Sequence, residues 1–292
     1  MTPTSKVLSS IQGTRASSSV FTCWGYSIVR FMELEAIEYE HGDDHVATIT
    51  LNRPEALNSW NDQMAAEMAW AWQTIREDDT IHAAVVQANG DRAFCAGADV
   101  RGGTSWFFRA NVWNTFDPGV TLSPKTFHRC WKPVVAAVHG IAAGGAQYFL
   151  NEADIIIASD DAEFFDPHAN TGIVSALEPI GMLHRGMPLG DVLRWALMGN
   201  DERITAETAL RLGLVTEVVA RGELRPRARA IASSIAARNP RAIQGTVRAI
   251  WESLDMTRSA ALQNGMAYTH IGNTYERDPA SVPRPKTPPT YR

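Results

Sequence analysis

Cysteine is almost missing from this chain of 292 residues: there is only Cys23, Cys95 and Cys130, widely spaced and with no CxxC pair. That excludes a disulfide framework and points to a reducing compartment, hence the cytoplasm. No apolar run approaches the ~18 residues of a membrane-spanning helix. Positive charge is not in excess either. The net charge is −5, so no global field draws the protein to nucleic acid or to an anionic membrane. Lysine is confined to Lys6, Lys125, Lys132 and Lys286, the other basic residues being arginine. No Rossmann GxGxxG, Walker A pattern or internal repeat occurs, and the histidines are scattered rather than grouped as metal ligands. Neither a metal nor a permanently bound cofactor is expected.

Acids are absent from residues 1–31, a stretch rich in Ser and Thr that carries Lys6, Arg15 and Arg30. An organellar transit peptide is one explanation. A disordered or extended leader over 1–32, or an upstream start with Met32 as the natural one, is the other. "VFTCWGYSIVRFM" is too short, and too interrupted by Arg30, for a secretory signal.

What is present is enough apolar sequence, 45%, to bury one large core. "HVATITLNRP" alternates, with Ala47, Ile49 and Leu51 on one face and Thr48 and Thr50 on the other, and predicts a half-buried strand ended by Pro54. "SWNDQMAAEMAWAWQTIRED" predicts a helix with Met64, Met68 and Trp72 on one stripe and Ser59 as N-cap. "HAAVVQAN", "VVAAVHG" and "DIIIAS" are short buried strands. After residue 189 the pattern is mostly helical, with "LVTEVV" as a strand, and the tail "ERDPASVPRPKTPPTYR" is Pro-rich. Strands alternating with helices make an α/β protein.

Two small-residue turns follow strands: "AFCAGADV" at 93–100 and "HGIAAGGAQY" at 139–148. Such turns let a ligand approach the backbone, and free N–H groups there form an oxyanion site. Close helix-on-sheet packing demands the same residues, so one turn alone favours packing; two at matched strand ends favour function.

At this point the chain resembles the enoyl-CoA hydratase/isomerase (crotonase) superfamily. The resemblance runs from about residue 34 to 255 and rests on "ITLNRPEALNSWN", "AFCAGADV", "KPVVAAVHGIAAGG", "ADIIIASDDAEF" and "ITAETALRLGLVTEVV", in that order. It implies a spiral of ββα units over 33–200, a C-terminal helical trimerisation region over 201–273, a Pro-rich tail over 274–292, and a homotrimer or dimer of trimers. It also implies an oxyanion hole from the N–H groups of Ala98 and Gly145, holding a thioester or ketone oxygen as enolate character develops. Coenzyme A is implied as part of the substrate, near Arg53, Ala56, Leu57, Ala96, Asp99 and Val100. Arg53 and Arg101 are then phosphate neighbours, or ordinary surface arginines. The stretch "YTHIGNTYERDP" departs from the lysine-bearing C-terminal pattern common in the family.

The larger departure is catalytic. Hydratases of the family place one glutamate three residues after the oxyanion glycine and another after a proline some twenty residues on. Here those positions hold Tyr148 and His168. Tyr148 donates a hydrogen bond but is a poor base near neutrality, whereas His168 accepts a proton there. In an extended segment Asp166 shares a face with His168 and orients the ring. Glu178 is a further partner. Glu152 fits a salt bridge at a subunit contact better than catalysis. The rival for "FFDPHANTG" is a polar bend in which His168 only packs.

Residues 104–131 are aromatic-rich. Trp106, Phe107, Phe108, Trp113 and Phe116 suit a bulky or cyclic acyl group, or pack on the core. Three functions follow. The first is enoyl-CoA hydration or isomerisation through a stabilised enolate. The second is C–C hydrolysis of a cyclic β-diketone or β-keto thioester by His168, since diketone hydrolases of this fold also pair a Pro–His with a following Gly-Ile-Val. The third is a catalytically silent oligomeric binding protein.

Overall fold

The computed structural model describes residues 18–23, 26–31, 33–101 and 121–272, the first two ranges by their backbone. Strands β1 (Ser18–Cys23) and β2 (Tyr26–Phe31) pair antiparallel in a sheet of their own, inside the stretch expected as a disordered or extended leader. The remaining strands among the described residues form two sheets. The larger contains β3 (Ile37–His41), β4 (Val46–Leu51), β5 (Ala83–Ala88), β7 (Val134–Val138), β9 (Ile155–Ser159) and β12 (Glu217–Val219), in the order β12-β9-β7-β5-β4-β3. The smaller contains β6 (Ala93–Cys95), β8 (Ile141–Ala143), β10 (Glu163–Phe165) and β11 (Ile204–Thr205), in the order β11-β10-β8-β6. Within these two sheets only β3 and β11 run antiparallel to their neighbours. Each successive pair, β5 with β6, β7 with β8, β9 with β10, gives one strand to each sheet. This is the expected α/β spiral of strand–strand–helix units, with helices following at the C-terminal end.

Helix α1 (Asp62–Glu77) buries Met64, Met68, Trp72 and Ile75 on one stripe, each stabilising the core by about 1.5–3 kcal/mol. Its N-cap is Asn61, whose side chain accepts from Met64 N at 2.9 Å, so the cap lies two residues beyond the expected Ser59. Glu67, on the same helix, is fully buried; its carboxylate accepts from the amides of Glu35, Ala36 and Ile37, each at 2.9 Å, and pins the entry of β3.

The half-buried expectation for β4 is corrected: all of Val46–Leu51 is buried. α1 covers one face. On the other, α7 (Leu224–Ala236) lays Leu224, Ala228, Ala232 and Ala236, spaced by four, against Val46, Val85, Val135 and Ile157. Thr48 faces α7 and accepts from Arg229 Nη1 at 2.9 Å, which is how a hydroxyl sits inside a two-sided sheet. The boundary expected at residue 200 falls inside the sheet-bearing part, because β11, β12 and α7 lie beyond it. Helices α5 (Leu189–Met198) and α6 (Ala206–Arg211) precede α7, while α8 (Pro240–Ser253) and α9 (Arg258–Gly272) follow it, pack on each other and leave Ile250, Leu262 and Met266 exposed.

Candidate active site

Strands β6, β8 and β10 are parallel neighbours, so their C-terminal ends share one sheet edge. The segment leaving each strand carries one predicted element: Ala98 after β6, Gly145 after β8, Asp166 and His168 after β10.

After β6 the chain is clamped to the "RPEALNSW" segment. Ala96 N donates to Leu57 O at 3.0 Å, Trp60 N to Gly97 O at 2.9 Å and Asp99 N to Trp60 O at 2.8 Å. That parallel bridge uses the groups flanking Ala98, so the N–H of Ala98 itself faces away from Trp60's backbone. After β8, Gly144–Ala146 forms a 3-10 turn leading into α2 (Gln147–Leu150), and Gly145 lies in its first turn, where an N–H has no intrahelical acceptor. A Cβ on Gly97, whose φ is +93°, would stand 3.0 Å from Ala143 O and 3.2 Å from Gly145 N: the two turns touch backbone to backbone. Neither the Ala98 nor the Gly145 amide donates to an acceptor among the described residues.

The segments expected beside a coenzyme are tied to each other. Arg53 donates to Asp99 Oδ2 at 2.9 Å and to Ser59 O at 2.5 Å, so its guanidinium ties the two segments together. Ala56 and Leu57 lie half-buried in and just after a 3-10 turn, Ala96 is half-buried, and Val100 and Arg101 are exposed. Trp106, Phe107, Phe108, Trp113 and Phe116 lie outside the described residues.

The exit of β10 is not extended, which corrects the route by which Asp166 was expected to reach His168. Pro167 is helical, and His168 opens the short helix α3 (His168–Thr171). A tight turn therefore brings the pair together. Asp166 Oδ1 accepts from His168 N at 3.1 Å and also hydrogen-bonds His168 Nδ1. Asp166 is fully buried. On the other side of the ring, Glu178 at the start of α4 (Leu177–His184) places Oε1 3.9 Å from Nε2. The Asp166 hydrogen bond holds the His168 imidazole above its ordinary pKa against the opposing effect of burial, and the charges of Asp166 and Glu178 add to the rise. The ring also abuts the second turn: a Cβ on Gly144, whose φ is +48°, would lie 3.1 Å from Pro167 Cδ and 3.6 Å from His168 Cε1. His168 is therefore within one residue of the Gly145 amide.

Tyr148 stands half-buried, edge-on to Trp60 with ring centroids 6.2 Å apart, and lines a cavity of about 290 Å³ with Ser123, Asn151, Leu177 and Ile180. Glu152 accepts from the amides of Lys125 at 2.6 Å and Thr126 at 3.0 Å, an intrachain cap for the loop before β7. Burial pushes the thiol of Cys95, under the first turn, up to about 12, so it is not a nucleophile at neutral pH.

Two residues went unread in the sequence. Asn58 is fully buried, donates to Asn89 O at 2.8 Å and Ala93 O at 2.9 Å, and accepts from Arg53 N at 2.8 Å. Both Leu57 and Asn58 have positive φ, a conformation Asn tolerates better than Leu. Trp60 packs against the second turn. The available signal was an Asn and a Trp together inside a turn-forming segment.

Residues 41–277 match the family model described as enoyl-CoA hydratase/isomerase. The (E)-benzylidenesuccinyl-CoA hydratase of Thauera aromatica is 33% identical over 228 residues, 78% of this chain and 86% of that protein. The short-chain-enoyl-CoA hydratase of Clostridium acetobutylicum is 33% identical over 234 residues, 79% of this chain and 87% of its own. Among solved structures, an enoyl-CoA hydratase/isomerase from Mycobacterium paratuberculosis superposes with a TM-score of 0.74 at 36% identity, covering 84% of this chain and 92% of that one. With a spiral fold, paired small-residue turns and relatives matched over most of their length, the chain belongs to the enoyl-CoA hydratase/isomerase (crotonase) family.

Proposed function

We propose that this protein moves a proton at the carbon beside the carbonyl of a coenzyme A thioester bearing a bulky or cyclic acyl group. The carbonyl oxygen rests on the N–H groups of Ala98 and Gly145, and His168 exchanges the proton through Nε2. The observation that carries this is the Asp166–His168 hydrogen bond at the exit of β10, beside the Gly144–Gly145 turn. Asp166 keeps Nδ1 protonated, which leaves Nε2 as the basic atom and stabilises the imidazolium once the proton arrives. The negative charge that develops on oxygen as the C–H bond breaks then falls on donors already in place. A positioned base is worth roughly 10²–10⁴-fold and an oxyanion donor ~10²–10³-fold.

Glu178 faces the same Nε2 and holds water, or relays the proton to a second carbon; the former outcome gives hydration and the latter isomerisation. Tyr148 has a hydroxyl to donate and no carboxylate to take a proton, so the two-carboxylate route of ordinary hydratases is not this protein's route. The coenzyme runs past Ala56, Leu57, Ala96, Asp99 and Val100, with exposed Arg101 for a phosphate and Arg53 holding the two segments together. Equally similar relatives are named for a short acyl group and an aryl-bearing one. The acyl preference therefore rests on local residues, and the aromatic content around Trp106, Phe107 and Trp113 supports a ring. The exposed apolar positions of α8 and α9 support association into a homotrimer.

A second reading is favoured by the histidine itself. An imidazole with an oriented Nδ1 activates water as readily as it moves a carbon-bound proton, which suits C–C hydrolysis of a cyclic β-diketone. A panel of aryl- and cycloalkyl-acyl-CoAs in D2O, scored for deuterium at the α-carbon, and a parallel panel of cyclic diketones separate the two. His168→Ala should lower kcat by about 10²–10⁴-fold with the fold intact. Activity within a few-fold of native would make the β10 exit a packing bend.

A further inference from the structure

Glu178 reaches to 3.9 Å from His168 Nε2 from the first turn of α4, so what holds that turn decides where the carboxylate points. The helix does not hold it by capping: its N-cap is Ala176, which makes no side-chain cap bond. The end of α2 does. Asn151, the C-cap of α2, donates from Nδ2 to Glu178 O at 2.9 Å. It fits because Gly181, one turn further along α4, has no side chain: a Cβ there would overlap Asn151 Nδ2 and stand 2.5 Å from its Cγ. At the far end of α4, Arg185 Nη1 donates to Ala153 O at 2.6 Å and to Asn151 O at 3.3 Å. Residues 178, 181 and 185 share one helix face, and that face is docked on the end of α2. Asn151 Oδ1 is buried without a hydrogen-bond partner among the described residues, which destabilises the fold. Leucine would fill the same notch without that loss, so packing alone does not call for an amide here.

We propose that Asn151, seated in the notch left by Gly181, is a positioning residue that sets the first turn of α4 so that the Glu178 carboxylate faces His168 Nε2. The proposal rests on the reading above in which Nε2 handles the proton with Glu178 beside it. The same bond ties the short helix that carries Tyr148 to the helix that carries Glu178. Asp166 does not depend on this contact, because its bonds to His168 span two residues of one turn. The two carboxylates beside the ring are therefore held by different means, one locally and one through α2.

The test needs no substrate. It follows the Hε1 resonance of His168 against pH in the full chain, assigned by its loss in His168→Ala. The charges acting on the ring are those of Asp166 and Glu178, and both raise its pKa. Glu178→Gln should therefore move the inflection to lower pH. Asn151→Ala should move it the same way and no further, because the carboxylate remains but is no longer held at Nε2. Gly181→Ala should reproduce this by displacing the Asn151 amide, although alanine itself favours the helix. Adding Asn151→Ala to Glu178→Gln should move nothing more, as expected of one residue acting through the other. If Glu178→Gln shifts the inflection while Asn151→Ala and Gly181→Ala do not, the proposal is overturned and the reading of the site stands. A further shift in the double variant also overturns it, since Asn151 would then act on His168 by another path. No shift in Glu178→Gln overturns the proposal together with the role given to Glu178. Should Asn151→Ala not fold, Asn151→Leu and Gly181→Ala carry the same comparison.

Discussion

Replacing Asp166 by asparagine perturbs one atom pair and has a calculable outcome. Oδ1 of Asp166 serves both Nδ1 and the backbone N of His168, while Oδ2 is buried without a hydrogen-bond partner. Asparagine keeps an acceptor for the ring but puts an NH2 where Oδ2 was, an unpaired buried donor costing about 1–3 kcal/mol of stability. It also removes the charge that holds the imidazole above its ordinary pKa. The sign follows. A base works when neutral, so native activity falls as pH drops below the raised value, and in the variant that fall moves to lower pH. Above the inflection a loss of roughly 10-fold remains, from a ring less firmly held in its tautomer. Two measurements check this: kcat/KM against pH, and the pH titration of the His168 Hε1 resonance, assigned by its loss in His168→Ala. An unchanged inflection together with a rate within twofold of native would refute the coupling of Asp166 to His168.

Crotonyl-CoA, short and unbranched, should be hydrated poorly, because Tyr148 and His168 occupy the positions where two carboxylates would hold water; a kcat/KM at or above ~10⁶ M⁻¹s⁻¹ would show that other residues perform the addition. Asn58→Ala should lose about 2–4 kcal/mol in denaturant unfolding, since the carbonyls of Asn89 and Ala93 and the amide of Arg53 are left without a partner. A loss under 0.5 kcal/mol would mean that water replaces all three bonds.

The α/β spiral was legible because it is written in local pattern: buried runs of five or six residues that end in small-residue turns can hardly be anything but strands feeding a sheet. What escaped was tertiary. Alternating Thr48 and Thr50 looked solvent-facing, and only the alanine stripe of α7, almost two hundred residues later, covers them. Asp166 and His168 were paired from the two-residue spacing of a strand, yet Pro167 turns the chain helical and a turn achieves the contact instead. Glu178 as a neighbour of His168 was suggested by the sequence, but Trp60 was not, because nothing in a helix-start segment says that an indole edge will meet a glycine from another strand. Side chains recruited across strand ends carry no periodicity, and so leave no trace in one sequence.

The common edge of β6, β8 and β10 divides the labour in a way that bears on how such a chain can change. What Ala98 and Gly145 contribute belongs to the backbone and survives almost any substitution that preserves its path. What Tyr148 and His168 contribute belongs to side chains on separate strand exits, one after β8 and one after β10. On the proposed reading, polarising power comes with the scaffold, while the destination of the proton is set by side chains.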